Sequence, residues 1–136
     1  MIQGIIEILT EDTGVQNVVG KSKLGSEVYK VYTVRAPQNE LSPYITVFKL
    51  PGTPTQAKNE TSSLDVCRFR VFGYVTNYKD RDAITEAIRA ALDAKKSVTN
   101  NGITFLSIWY ETDSDGFDDS AQQYVAIVDF GCEVKR

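Results

Sequence analysis

The sequence predicts a single α+β domain over residues 1–136, with a mainly antiparallel β-sheet of about five strands and two α-helices packed on one face. Three observations lead to this fold class. The chain of 136 residues suits one domain of ordinary size. Its 42% hydrophobic and 24% charged residues are typical of a globular protein rather than a disordered one. Several β-rich segments are interrupted by two stretches with helical periodicity.

The first element is an amphipathic helix within residues 1–12. Its apolar residues recur at the spacing of one helical face: Ile2, Ile5, Ile6 and Leu9. Gly14 follows as a helix stop. Residues 15–26 contain glycines among small and polar neighbours, which indicates a connection with a short strand at Val18 and Val19.

The next two segments are β-rich. Residues 28–34 are dense in Val, Tyr and Thr and end before Pro37. Their mixed faces favour a strand near a sheet edge or at a subunit contact. Residues 44–50 form a second run, which begins after Pro43 and ends at Pro51. We expect these two strands to pair in antiparallel orientation.

Residues 51–64 have neither helical nor strand periodicity and are rich in Pro, Thr and Ser. Loops of this length without secondary structure are uncommon in compact domains unless they are disordered or contact a partner. The sequence therefore predicts a long partner-facing loop, with these candidate contact residues: Thr53, Pro54, Gln56, Lys58 and Asn59.

A central strand is predicted over residues 65–75, where apolar and polar residues alternate. Arg68 and Arg70 share the face opposite to the apolar one. These two arginines can bind an anion or pair with acidic residues of a neighbouring strand. We favour the pairing, for which Asp129 and Glu133 are the candidates.

The second helix is predicted over residues 80–96. Asp80 suits its N-cap, and Lys95 and Lys96 suit the negative end of its dipole. Its apolar stripe consists of Ile84, Ala87, Ile88, Ala91 and Leu92. Where this helix lies on the sheet, we expect the following residues to be buried together: Phe69, Val71, Ile88, Leu92, Val128 and Phe130.

The chain closes with a predicted hairpin. A turn signal at residues 100–102 leads into a strand over residues 103–112, and residues 122–134 form its partner with an apolar face. An acidic loop over residues 113–120 joins them. Four of its carboxylates are candidate partner contacts: Asp113, Asp115, Asp118 and Asp119.

This acidic loop resembles a calcium loop in composition but not in spacing. An EF-hand loop places its glycine sixth and a glutamate twelfth, whereas here, with Asp113 counted as the first position, Gly116 is fourth and no glutamate is twelfth. Paired carboxylates for glycoside hydrolysis must be held on rigid elements across a cleft. We therefore expect a solvated hairpin tip, with no metal, no cofactor and no catalytic residue.

Composition excludes several classes of function. The chain has no histidine, which excludes Ser-His-Asp and Cys-His catalysis and a two-histidine zinc helix. Two cysteines are too few for a four-cysteine zinc site, and both Cys67 and Cys132 lie on apolar strand faces, as reduced core thiols do. A formal net charge of -3 and a pI near 5.0 argue against nucleic-acid binding through phosphates.

Targeting features are also missing from the sequence. No segment approaches the apolar length of a transmembrane helix, and the first residues lack the basic start of a signal peptide. We therefore expect a soluble protein that is made in a cytoplasm and has no membrane partner.

The order and spacing of the elements carry a resemblance over nearly the full length. They comprise the amphipathic N-terminal helix, a strand, the segment Pro43-Tyr44-Ile45-Thr46-Val47, the long loop, the segment from Asp65 to Tyr74, the helix with Ala83-Ile84 and Ile88 to Leu92, and two closing strands. In this arrangement the chain resembles the tail-completion or tail-terminator proteins of long-tailed phages with non-contractile tails.

The resemblance implies a structural protein rather than an enzyme, with no catalytic residues to carry over. It implies that six copies assemble as a ring at the head-proximal end of the tail tube. The implied partners are further copies of the chain, the tail tube protein and the head-neck connector protein, with DNA only as passing cargo. The implied location is the virion tail or neck, after assembly in the host cytoplasm.

Two other classes of function stay open at the level of sequence. One is a small monomeric or dimeric α+β module that binds a ligand, and the other is a carboxylate-dependent hydrolase. A measurement of mass in solution addresses the choice, because a ring and a monomer with a deep pocket differ in size.

Overall fold

A six-stranded sheet with three helices on one face makes up the described part of the protein. The structure is a computed structural model that describes residues 2–24, 28–37, 40–51, 64–93, 95–100, 103–120 and 122–135. The helices are α1 (Ile2–Glu11), α2 (Thr13–Val19) and α3 (Asp80–Leu92). The strands are β1 (Val31–Thr33), β2 (Tyr44–Leu50), β3 (Leu64–Val75), β4 (Lys95–Asn100), β5 (Ile103–Asp118) and β6 (Gln123–Lys135).

The spatial order of the strands is β1-β2-β3-β6-β5-β4, and every pair except β1 with β2 is antiparallel. The predicted α+β class with a mainly antiparallel sheet is thereby confirmed. The described residues add one helix and one strand to the two helices and about five strands that were expected.

The core lies between the helices and the central strands β3 and β6. Phe69 and Phe130 are register partners on these strands, and their fully buried rings stack with centroids 5.4 Å apart. Ile88 and Leu92 of α3 are fully buried in the same cluster. The six residues expected to be buried together are all in this core, so the apolar faces of β3, β6 and α3 are confirmed.

The N-terminal region differs from expectation because a second helix follows α1 directly. The Asp12 side chain accepts a hydrogen bond from Val15 N at 3.0 Å and so caps the start of α2. Gly14 therefore lies inside α2 and is not a helix stop. Val18 and Val19 are helical, and the short strand predicted there is wrong, because Val15 and Val19 bury one face of the helix.

β1 lies at the sheet edge, as predicted, but its pairing with β2 is parallel. Val31 pairs with Ile45, and Ile45 N donates to Lys30 O at 2.9 Å. The chain turns at Val34, which has a φ of 65° and donates its N–H to Val47 O at 3.1 Å. The connection then returns to the start of β1, which parallel pairing requires. The expectation of an antiparallel pair was wrong.

α3 is shorter than predicted. It ends at Leu92, where Asp93 adopts an extended conformation and donates its N–H to Arg89 O at 2.8 Å. Lys95 and Lys96 therefore lie in β4 and not in the last helical turn. The β-branched Val98 and Thr99 favour the strand, and β4 pairs with β5.

The start of α3 also differs in detail. Lys79 occupies the N-cap position without a side-chain hydrogen bond, and Asp80, expected as the cap, is the first helical residue. Asp80 and Asp82 place negative charge in the first turn, where it interacts favourably with the helix dipole.

The segment predicted as an acidic loop is mostly strand. β5 continues to Asp118, and its register with β6 runs from Asp113 opposite Val128 to Asp118 opposite Gln123. Pairing with the apolar strand β6 outweighs the low β-propensity of Asp and Gly. The connection between the two strands is therefore a short turn after Asp118, in which Gln122 has a φ of 55°.

Candidate functional site

The structure separates the four carboxylates that the sequence grouped in one loop. Side chains alternate between the faces of a strand, so Asp113 and Asp115 lie on the helix side of β5 and Asp118 on the opposite side. Asp119 is exposed in the turn. The structure therefore does not form one acidic cluster from these residues.

Asp113 and Asp115 interact with neighbours on the helix side. Asp113 accepts a hydrogen bond from the Tyr110 hydroxyl at 3.0 Å, and this bond raises the pKa of Tyr110. Asp115 forms an ion pair with Arg81 of α3. Arg81 in turn stacks on the Tyr78 ring, with its guanidinium carbon 4.2 Å from the centroid. These contacts attach the outer half of β5 to α3.

The face of the sheet opposite the helices carries an ordered pair of opposite charges. Arg70 Nε and Nη2 donate to the two carboxylate oxygens of Asp129 at 2.7 and 3.0 Å, and this hydrogen bonding raises the pKa of Arg70. Arg68 Nε donates to Glu111 at 2.9 Å. The predicted partner Asp129 is thus confirmed, whereas Arg68 pairs with Glu111 instead of Glu133, because Glu111 lies at a bulge of β5.

Aromatic side chains fill much of the remaining helix-free face. Phe48 and Phe72 pack edge to face with centroids 5.2 Å apart. Trp109 lies across Gly131, where an added Cβ would come within 2.5 Å of the indole. These aromatic side chains are half-buried, although none of the described helices covers this face.

At the β1 end of the helix-free face lies a cavity of about 500 Å³, which we call the tyrosine cavity. Tyr44 and Tyr74 line it and stack with their centroids 4.7 Å apart. The connection from β1 to β2 contributes Arg35 and Glu40, and the end of β5 contributes Asp118. Of the sequence-predicted contact residues that the structure describes, only Asp118 lines this cavity.

The electrostatic environment of the tyrosine cavity is negative. Burial raises the pKa of Tyr44, and the charges of Asp118 and Glu40 raise it further. Burial and Asp118 also raise the pKa of Tyr74, while an interaction of its hydroxyl with Thr46 acts in the opposite direction. Neither tyrosine hydroxyl therefore ionises near neutral pH.

This cavity was not predicted from the sequence. Tyr44 and Tyr74 were placed on separate β-rich segments, and their contact follows only from the register of β2 with β3. Gln123 of β6 and Thr46 of β2 also line the cavity because strand pairing brings residues that are distant in sequence side by side. The sequence did contain one indication of it, because the alternating segment 65–75 carries aromatic residues on its polar face.

The loop residues Thr53, Pro54, Gln56, Lys58 and Asn59 lie outside the described residues. Within the described part of the chain, no group of three or more Cys, Asp or Glu side chains is arranged to hold a metal ion. None of the described helices has the length and apolar character needed to cross a bilayer.

The fold is shared with a component of a virus-like particle. A chain of the solved structure described as "Virion of native gene transfer agent (GTA) particle" superposes with a TM-score of 0.75, covering 100% of this chain and 95% of that one at 15% identity. A second solved chain superposes with a TM-score of 0.54, covering 79% of each chain at 9% identity. At these identities the likeness establishes the fold alone.

The family follows from the sequence itself. The family model described as "Tail completion protein gp17" matches residues 3–132, nearly the whole chain. The protein belongs to this family, has a structural role in the phage tail and is located in the virion tail. No curated protein matches the sequence.

Proposed function

We propose that the protein forms a ring, of six copies, that caps the tail tube and joins it to the head-neck connector. In this assembly it contacts further copies of itself, the tube protein and the connector protein, and DNA passes through without being bound. Membership of the tail-completion family supports the role at the end of the tail. The negative net charge suits a conduit that must not retain DNA.

The structural observation that carries the ring proposal is an open sheet edge. β4 pairs with β5 only as far as Ile108, and β5 then continues to Asp118 with no described strand on its outer side. The side chains from Glu111 to Phe117 on this half of β5 are exposed. An unpaired edge of this length exposes backbone donors and acceptors that a neighbouring chain can satisfy.

The helix-free face supports the same proposal. It presents half-buried aromatic rings at Phe48, Phe72 and Trp109 beside the Arg70 to Asp129 ion pair. Aromatic and arginine side chains of this kind are enriched in protein interfaces. A hydrolase acting through paired carboxylates has less support, because Asp113 and Asp115 are separated from Asp118 by the sheet.

Assembly is tested by mixing the purified protein with tail tubes that lack it and examining the mixture by electron microscopy. Light scattering gives the mass of the free protein in solution. We expect ring-shaped density at one end of each tube, even where the free protein is monomeric. Tubes that keep growing to uncontrolled length in the presence of the protein would contradict the proposal.

The long loop is expected to contribute to this assembly. To test this, residues 53–62 are replaced by a Gly/Ser linker of the same length. The length is kept because β3 begins at Leu64, four residues before Arg68, the partner of Leu50 in β2, and a shorter link would strain the sheet. We expect a folded monomer with an unchanged melting temperature that fails to cap tails in a complementation assay. A variant with the same residues in scrambled order is the matched control for length and composition. Normal capping by both variants would show that the assembly surface lies elsewhere.

A further inference from the structure

The exposed apolar side chains of the described residues fall into two groups. Six large hydrophobic side chains are exposed: Leu24, Val28, Val34, Leu41, Tyr78 and Phe117. Four of them lie within residues 24–41, around β1, and the other two lie just before α3 and near the outer end of β5. A single exposed hydrophobic side chain needs no explanation, whereas grouped ones are typical of interaction sites.

The first group lies around Ser22, on what we call the β1 surface, the exposed part of residues 20–24, 28–34 and 40–41. Ser22 N donates to Val28 O at 2.7 Å, and Ser22 Oγ accepts from Leu24 N at 3.2 Å. The carboxylate of Glu40 interacts with Ser22 and also accepts from Leu41 N at 3.0 Å. Leu24, Val28 and Leu41 are therefore neighbours beside the β1 edge of the sheet.

The second group lies around Tyr124, on what we call the β5 surface, the exposed part of residues 78–86 and 113–117. Tyr78 and Phe117 both pack edge to face on the Tyr124 ring, with their centroids 5.4 and 5.0 Å from it. Phe117 belongs to the half of β5 that has no described strand on its outer side. A neighbouring chain therefore gains both apolar contacts and backbone hydrogen bonds at this surface.

The β1 surface has a positive net charge. Its charged residues are Lys21, Lys23, Lys30 and Glu40, which give a formal charge of +2. Glu40 interacts with Lys30, which is buried, so the two exposed lysines carry the surplus. Neither Lys21 nor Lys23 is in an ion pair of the described residues. This positive charge is available to a partner of opposite sign.

The β5 surface has a negative net charge, even when its own cations are counted. It contains five carboxylates and two cations, which give a formal charge of -3. Arg81 is paired with Asp115. Glu86 and Asp113 line the same cavity and are in no ion pair of the described residues. Asp113 accepts a hydrogen bond from a neutral tyrosine hydroxyl, which leaves its charge in place.

We propose that the β5 surface of one copy of the chain docks on the β1 surface of the next copy. Each surface offers exposed apolar side chains, and the net charges of the two are opposite. Contact between two β1 surfaces or between two β5 surfaces brings like charges together, which costs free energy. The contact therefore joins two different surfaces of the chain.

The position of the two surfaces in the fold fits a ring. β1 is one edge strand of the sheet, and the unpaired half of β5 lies at the other edge. Repeated contacts between two different surfaces form a ring when the rotation from copy to copy closes. The closed ring rests on the proposed function, whereas the contact between two copies is tested without it.

The first experiment uses two full-length variants that each keep one surface intact. The β1-blocked variant carries Lys21→Glu and Lys23→Glu, which give its β1 surface the same sign as the β5 surface. The β5-blocked variant carries Tyr78→Asp and Phe117→Asp, which remove the exposed rings and add no positive charge. All four side chains are exposed, so we expect both variants to keep a dispersed NMR spectrum.

A titration of one variant with the other then allows a single contact, since only one intact surface of each kind is present. With the β1-blocked variant labelled with ¹⁵N, we expect saturable amide shifts at residues 113–117. With the label on the β5-blocked variant, we expect them at residues 20–24. The affinity should fall several-fold in about 0.5 M salt, because opposite charges at the contact are then screened. Either variant alone should show no shifts that depend on its concentration.

Three results of this titration would overturn the proposal. The first is an absence of saturable shifts at about 1 mM of each variant, which corresponds to a contact weaker than about 4 kcal/mol. The second is a set of shifts confined to other parts of the chain, such as the helix-free face. The third is self-association of either blocked variant, which would mean that two like surfaces meet.

Charge reversal tests the same contact in the assembled particle. The β1-blocked variant should reduce the yield of capped tails roughly tenfold in a complementation assay, because each contact then joins two negative surfaces. Adding Glu86→Lys and Asp113→Lys to the same chain should restore most of the yield, since every contact again joins opposite charges. A combined variant that stays as defective as the β1-blocked one would contradict the assignment.

A matched control makes the same change of charge outside both surfaces. Lys49→Glu with Lys135→Glu replaces two exposed lysines of β2 and β6 and should leave the yield of capped tails unchanged. An equal loss with this control would mean that net charge, and not the β1 surface, determines the yield. If the blocked variants bind each other but the wild-type protein does not cap tail tubes, the proposed function is refuted and the contact between copies stands.

Discussion

At the scale of a single residue, the packing of Trp109 requires a glycine at position 131. A Cβ at this position would lie 2.5 Å from Trp109 Cε2, whereas a Cβ at Gly116, on the adjacent strand β5, would have no atom within 4 Å. The glycine therefore allows the indole of the one tryptophan to lie flat across β6. Trp109 fluorescence reports directly on this contact.

We expect Gly131→Ala to destabilise the protein by about 1–3 kcal/mol, because the indole or the strand must shift. Gly116→Ala is the matched control and should change the free energy of unfolding by less than about 0.5 kcal/mol. Urea denaturation followed by Trp109 fluorescence measures both. Equal costs for the two substitutions would show that loss of glycine, and not the contact with Trp109, determines the effect.

Cys132 is fully buried opposite Cys67, and burial raises the pKa of its thiol from 9.0 to about 12. The thiolate is the reactive form, and a shift of this size reduces its fraction at pH 8 roughly thousandfold. In a Cys67→Ser variant we expect negligible alkylation of Cys132 at pH 8 until urea unfolds the chain. Rapid labelling of the folded variant would mean that Cys132 is accessible.

The same shift links Cys132 to stability. Its pKa is higher in the folded state than in the unfolded state, so its contribution to stability is complete below pH 9. The contribution is lost as the pH rises from 9 towards 12, because ionisation favours the unfolded chain. A Cys132→Ala variant should therefore lose less stability than the wild-type protein over that interval.

At the scale of elements, α3 depends on its apolar stripe. Leu92 is fully buried in the last turn of α3. Leu92→Ala should cost about 2–5 kcal/mol, since it leaves a cavity under the helix. Glu86→Ala on the exposed side of α3 serves as the control, with an expected change below about 0.5 kcal/mol. A change of that small size for Leu92→Ala would contradict the packing of α3 described above.

The outer half of β5 keeps its acidic residues apart, and this determines the expected response to calcium. Asp115 is paired with Arg81, and Asp118 lies on the other side of the sheet. We expect calorimetric titration to show no calcium binding tighter than about millimolar. Micromolar affinity that disappears in Asp115→Ala would contradict this expectation.

Periodicity predicted β3, β6 and α3 because each has one buried face and one polar face, and such patterns are local in the sequence. Two kinds of feature were not accessible in this way. Asp12 caps the helix over residues 13–19, and Val15 and Val19 bury one of its faces. The segment is too short, and its Gly14 too typical of a helix end, for periodicity to predict this helix. The strand character of the acidic segment comes from β6, a partner that composition alone does not reveal. The tyrosine cavity likewise depends on cross-strand register.

At the scale of the whole molecule, the helices occupy one face of the sheet and leave the other to half-buried aromatic rings. The long outer edge of β5 and the tyrosine cavity both lie outside the helical layer. A monomer therefore has three separate surfaces that a larger assembly can cover. This distribution suits a protein whose working form is a complex with neighbours on more than one side.

The order of the strands also determines when the protein can fold during synthesis. β6 comes last of the described strands along the chain but lies at the centre of the sheet, between β3 and β5. While the ribosome still holds residues 123–135, β3 has only β2 beside it and the Phe69 to Phe130 stack cannot form. Contacts between segments this distant in sequence form late. The nascent chain therefore cannot complete its sheet until residues 123–135 have left the ribosome.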